Sequence, residues 1–101
     1  MTIETAQRPY EAFYILPAGL DGQAVESILE KHRKFIEEQG GTVEKAELWE
    51  KRYLAFPING HSEGNYCLIH FTAAPGLPRE LGRLFRLSDE VIRARIFSRE
   101  G

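Results

Sequence analysis

Two stretches of this chain, Tyr10 to Leu16 and Asn65 to Ala73, are rich in β-forming residues and apolar in both of their alternating sets. In the first the sets are Tyr10/Ala12/Tyr14/Leu16 and Phe13/Ile15; in the second they are Cys67/Ile69/Phe71/Ala73 and Tyr66/Leu68/His70. Strands of this kind need cover on both faces, so both are predicted to lie in the middle of a sheet. The stretch from Thr42 to Ile58 is different. Its polar residues Glu44, Lys45, Glu47, Glu50, Lys51 and Arg52 suit an edge strand, where charge deters unwanted pairing. Val91 to Phe97 alternates cleanly, Ile92/Ala94/Ile96 against Val91/Arg93/Arg95/Phe97, and reads as an amphipathic last strand.

Between these strands the pattern changes to the helical period. Val25, Ile28, Leu29, His32, Phe35 and Ile36 recur on one face of a helix expected from Gly22 to Gln39. Asp21 is its N-cap, Leu20 and Val25 form a hydrophobic staple, and Gly40-Gly41 ends it. Leu77, Leu81, Leu84 and Phe85 mark a second, shorter helix, with Pro78 in its first turn, where a missing N–H is harmless. The cluster Asn59 to Gly64 reads as a turn.

The order strand, helix, strand, strand, helix, strand is the split βαβ arrangement: an α+β, ferredoxin-like fold with two helices on one face of a four-stranded antiparallel sheet. Its first and third strands are central, and these are the two doubly apolar ones. The predicted core comprises Ala12, Tyr14, Val25, Ile28, Leu29, Phe35, Ile36, Ile69, Phe71, Leu81, Leu84, Ala94 and Ile96. Residues 1–9 are expected to form a flexible lead-in, 10–99 a single domain, and 100–101 a short end.

A length of 101 residues leaves room for one modest core, and 43% hydrophobic with 28% charged residues is ordinary for a globular chain. The formal net charge of -2 announces neither nucleic acid nor membrane. The halves differ, however: residues 1–50 hold five Lys/Arg against ten Asp/Glu, and residues 51–101 hold eight against five. Six arginines and no lysine lie between Arg79 and Arg99, a choice that favours planar, bidentate contact with phosphate or carboxylate, although a solvated charged face is the ordinary reading for any single one of them. The single cysteine, Cys67, cannot form an internal disulfide and fits a reducing compartment. No run is long and apolar enough for a membrane helix, and the N-terminus has the composition of neither a signal nor a transit peptide.

No catalytic constellation, cofactor motif or metal site is expected. His32, His61 and His70 have no ligand spacing, and Cys67 and His70 fall on opposite faces of one strand. His32 reads as a core-edge histidine with a satisfied nitrogen. The glycines match no phosphate-loop or dinucleotide pattern, and the third strand lacks the signature of an RNA-recognition motif. What remains is an open sheet face that is half apolar and half arginine: Phe13 and Ile15, Tyr66, Leu68 and His70, then Arg93, Arg95 and Phe97. So much apolar area on a small domain implies a partner, and the composition suits either a protein surface or an RNA backbone.

The stretch Trp49-Glu50-Lys51-Arg52-Tyr53-Leu54-Ala55-Phe56-Pro57-Ile58 is similar to a motif of the bacterial small-subunit ribosomal protein S-six family, Trp-Gly-Lys-Arg-x-Leu-Ala-Tyr-Pro-Ile. Tyr10-Glu11, Gly40-Gly41-Thr42-Val43, Gly64-Asn65-Tyr66 and Asp89-Glu90-Val91-Ile92-Arg93 also resemble that family. The likeness runs from Tyr10 to Phe97. Glu50 departs from the motif glycine, which questions any bulge at that point.

The resemblance implies a non-enzymatic, cytoplasmic, ribosome-associated protein. It would pair with ribosomal protein S-eighteen and bind the central domain of small-subunit ribosomal RNA, the basic partner neutralising much of the phosphate charge. On that reading Arg52, Arg93 and Arg95, with Lys51 and Arg86, are the candidate RNA contacts. Phe13, Ile15, Trp49, Tyr66, Leu68, His70 and Phe97 are the candidate partner-protein surface. The alternative from another class is a self-associating ferredoxin-like domain that senses a small ligand, or a dimeric enzyme of that fold.

Overall fold

The structure, a computed structural model, describes residues 7–58 and 61–99, with side chains over 7–49 and 64–99. The elements are β1 (Arg8–Pro17), α1 (Gly22–Glu38), β2 (Thr42–Ile58), β3 (His61–Ala73), α2 (Leu77–Leu87) and β4 (Arg93–Ser98). The sheet has four strands in the order β2-β3-β1-β4, and every pairing is antiparallel. The split βαβ fold is therefore the observed one, with β1 and β3 in the middle.

Local chemistry sets the helix ends. The Ala24 N–H donates to Asp21 Oδ1 at 2.8 Å, which satisfies one of the orphan donors of the first turn of α1. At the other end Gly40 adopts φ +89° and the Gly41 N–H returns to the Ile36 carbonyl at 2.9 Å, closing the last turn. Gly41 is needed for space: a Cβ there would meet Ile36 Cγ2 at 2.7 Å and Leu77 Cδ1 at 3.2 Å. The glycine pair thus lets β2 leave α1 directly beneath the start of α2.

Both helices cover the same face. Ala12, Tyr14 and Leu16 of β1 and Cys67, Ile69, Phe71 and Ala73 of β3 are buried with Val25, Leu29 and Ile36 of α1 and Leu77, Leu81 and Phe85 of α2. Of the predicted core, Ile28, Phe35, Leu84, Ala94 and Ile96 are partly buried around this centre, because they lie at the margins of their stripes. Leu16, Cys67, Ala73, Leu77 and Phe85 complete it.

His32 is not at the core edge; it is wholly buried. Its Nδ1 lies 2.9 Å from the Tyr14 hydroxyl, its ring meets those of Tyr14 and Phe85 edge to face, and Nε2 has no hydrogen-bond partner. Burial, reinforced by the nearby Lys31 charge and opposed by Glu90, lowers the His32 pKa from its ordinary 6.5 to about 4. The same burial pushes the Tyr14 hydroxyl above its ordinary range, with Cys67 adding to the shift.

Boundaries moved where backbone pairing recruits residues that side-chain patterns exclude. β3 begins at His61, so the turn expected over 59–64 is shortened from its C-terminal side: Glu63 pairs with Tyr53 and His61 with Ile58. Asn59 and Gly60 lie outside the described residues. β1 begins at Arg8, inside the expected lead-in, while β4 begins at Arg93 and leaves Val91 and Ile92 before the strand. The Ile92 N–H still donates to the Ile15 carbonyl at 2.8 Å.

Two predictions follow from this packing. Leu29→Ala, at a position 2% exposed, should destabilise the protein by roughly 2–5 kcal/mol in urea denaturation, and more than Ile28→Ala does. Between about pH 6.5 and 4 the unfolded chain protonates His32 and the folded chain does not, so stability should fall as pH falls through that window. The expected loss is up to about 3 kcal/mol, at roughly 1.4 kcal/mol per pH unit. Denaturation measured across this range should show it in the native protein and show a smaller loss in His32→Gln, which cannot titrate there.

Candidate protein and RNA interface

The sheet face opposite the helices is set by the register of β1. Phe13 stands opposite Leu68 of β3 and Arg95 of β4; Ile15 stands opposite Tyr66 and Arg93; Glu11 stands opposite His70 and Phe97. Antiparallel partners share a face, so these residues form three rows across the sheet. All seven candidate partner-protein residues, together with Arg93 and Arg95, come onto this one face. Phe13 is the hub of its aromatics: its ring lies 5.8 Å from Trp49 and 5.4 Å from Tyr66, both edge to face. Trp49 is 52% exposed and Phe97 47%, so the apolar surface extends to both margins of the sheet.

Trp49 reaches Phe13 through a β-bulge. The register of β2 against β3 slips between Leu48, opposite Cys67, and Glu50, opposite Tyr66, which leaves Trp49 as the extra residue. The bulge expected to depend on a glycine therefore forms with Glu50 in that position. A second slip, between Val43 and Lys45, frees Glu44 in the same way.

The charges of this face are largely satisfied within the chain. Arg99 Nη2 lies 2.6 Å from Glu44 Oε2, and the same guanidinium donates to the carbonyls of Tyr10 and Phe71 at 3.0 and 3.3 Å. The Thr72 hydroxyl also donates to Glu44. That bond, opposed by burial and aided by Arg99, holds the Glu44 carboxyl below its ordinary range. Lys45 Nζ meets Glu47 Oε1 at 3.2 Å, and His70 Nε2 meets Glu11 Oε1 at 2.9 Å. Sequence reasoning missed the Arg99–Glu44–Thr72 strap, because residues so far apart in the chain meet only when all four strands are in register. The bulge that frees Glu44 has no sequence signal of its own.

Arg93 and Arg95 are exposed and have no ion-pair partner among the described residues. Between them, Phe13, Ile15, Tyr66 and Ala94 line a hollow of about 210 Å³. Ile15 at its floor is only 5% exposed. Arg86, near the end of α2, faces a second depression, shared with Phe85 and residues 91–94, on the β4 side of the molecule. The side chains of Lys51 and Arg52 lie outside the described residues; their backbones pair with Asn65 and Gly64 in β2.

The chemistry available here is recognition. Among the described residues no group of His, Cys, Asp and Glu is arranged to hold a metal, and no helix is long and apolar enough to cross a membrane. Cys67 is buried on the helix side, where burial first and the Glu26 charge second push its thiol up to about 12. It should therefore react slowly with a thiol reagent at pH 8 in the native protein and rapidly after denaturation. Equally fast labelling in both states would place it at an accessible site.

Residues 9–98 match the family model for ribosomal protein S6. The small ribosomal subunit protein bS6 of Clostridium novyi is 46% identical over 93 residues, covering 92% of this chain and 98% of the relative. That of Clostridium beijerinckii is 50% identical over 86 residues, covering 85% and 90%. The crystal structure of ribosomal protein S6 from Thermotoga maritima superposes with a TM-score of 0.85 at 30% identity, over 93% of this chain and 89% of that one. Matched almost end to end in sequence and in fold, the chain belongs to the ribosomal protein S6 family, a structural component of the small ribosomal subunit and not an enzyme.

Proposed function

We propose that the chain pairs with ribosomal protein S-eighteen through its open sheet face, and that the pair binds the central domain of small-subunit ribosomal RNA. The observation that carries this reading is the apolar set on one face of a small domain, with Trp49 and Phe97 exposed at its margins and Phe13 and Tyr66 half-buried between them, a surface that water covers poorly and a protein covers well. Leu68, Ile15 and His70 fill the spaces between these rings, and His70 is already tied to Glu11. Family membership displaces the alternative of an enzyme on this fold.

RNA contact falls to basic groups beside that face. Lys51 and Arg52 lie on β2, an edge strand, and Arg86 lies on α2 without an ion-pair partner among the described residues. Phosphate is the natural counter-charge for such groups, and arginine meets it with a two-pronged fork. Arg93 and Arg95 stand between the two surfaces.

Arg52→Ala and Arg86→Ala should each weaken binding of the assembled pair to ribosomal RNA. Each should also reduce the slope of log affinity against log salt by about 0.7–0.9. Association of the two proteins without RNA should be unchanged. A salt slope unaffected by both substitutions would exclude these residues as phosphate contacts.

A further inference from the structure

We infer that Arg93 and Arg95 serve the protein interface: the hollow between them receives one large apolar side chain of the partner protein, and the two guanidiniums take a carboxylate next to that side chain. This rests on the pairing proposed above and names the chemistry of its contact. The hollow, about 210 Å³ and walled by Phe13, Ile15 and Tyr66, is smaller than the roughly 300–1,000 Å³ of small-molecule sites. It has the dimensions of a seat for a single side chain, the kind of pocket that anchors the centre of an interface.

The surrounding charges choose between carboxylate and phosphate. Glu44 is paired with Arg99, Lys45 with Glu47, and Glu11 with His70. Among the described residues of this face Arg93 and Arg95 remain, two positive charges at one apolar hollow. A ribose-phosphate chain crossing this face would have to draw Arg99, Lys45 or His70 away from Glu44, Glu47 or Glu11 to be neutralised beyond the two arginines. A protein segment would not. When an apolar partner covers Phe13 and Tyr66 it also removes water from the two guanidiniums, so the partner must supply a counter-charge or leave buried charge unpaired. A carboxylate beside the inserted side chain meets both demands, with fork geometry that lysine cannot provide.

The test uses the whole chain and purified ribosomal protein S-eighteen from the same organism, with titration calorimetry in the absence of RNA and then filter binding of the assembled pair to ribosomal RNA across a salt series. Arg93→Gln and Arg95→Gln are exposed substitutions that leave the core untouched; circular dichroism confirms the fold. The expected result is a roughly ten- to hundredfold weaker association of the two proteins for each variant, with the RNA salt slope of the assembled pair unchanged. Protein association equal to the native value, together with a salt slope reduced by about 0.9 per arginine, would assign both to phosphate and overturn the inference while leaving the pairing intact. If the native chain itself does not bind S-eighteen, the pairing fails and the inference fails with it.

Discussion

Everything in this structure depends on the pairing of β1 with β3. Each strand carries apolar residues on both faces, and the register that sets Tyr14 opposite Cys67 and Phe13 opposite Leu68 decides which set meets the helices. A shift of β3 by one residue against β1 would turn Tyr66 and Leu68 into the core and Phe71 out to the surface while Tyr14 stayed buried. The register is held from the helix side, where Tyr14 and Phe71 are fully buried among residues of both helices. The open face carries so much apolar area because the same two strands are central, with Glu11 and His70 as a polar pair among Phe13, Ile15, Tyr66 and Leu68.

The Tyr14–His32–Phe85 cluster joins strand, first helix and second helix at the centre of that core. A hydroxyl and an imidazole in such a place are tolerable because they satisfy one another, which leaves a single nitrogen of His32 without a partner. The arrangement gives the packing a directional contact that aliphatic residues would lack. Its cost is a histidine that cannot take a proton without disturbing the fold.

On the other face, neutralisation of charge within the chain does as much as apolar area to define the surface. The Arg99 guanidinium reaches across from the end of the chain to β1, β3 and β2, contacting Tyr10 and Phe71 carbonyls and the Glu44 carboxylate. It ties the segment after β4 to the other three strands and neutralises the Glu44 carboxylate. Arg93 and Arg95 stand beside Phe13, Ile15 and Tyr66 with no ion-pair partner among the described residues.

The sequence by itself determined the strand and helix order, the central places of β1 and β3, the capping of α1 by Asp21 and Gly40, and the membership of the open face. These depend on short periods and on local backbone chemistry, which a chain displays residue by residue. The motif around Trp49 to Ile58 carried the family likeness in the same local way. Tertiary structure alone decided the burial of His32, because a histidine on a helical stripe looks the same at the core edge and at its centre. It also decided the bulges that present Trp49 and Glu44, the strap from Arg99, and the lack of an ion-pair partner for Arg93 and Arg95 among the described residues. Each of those depends on the alignment of strands distant in sequence, and a charge is compensated or not only once its neighbours across the sheet are fixed.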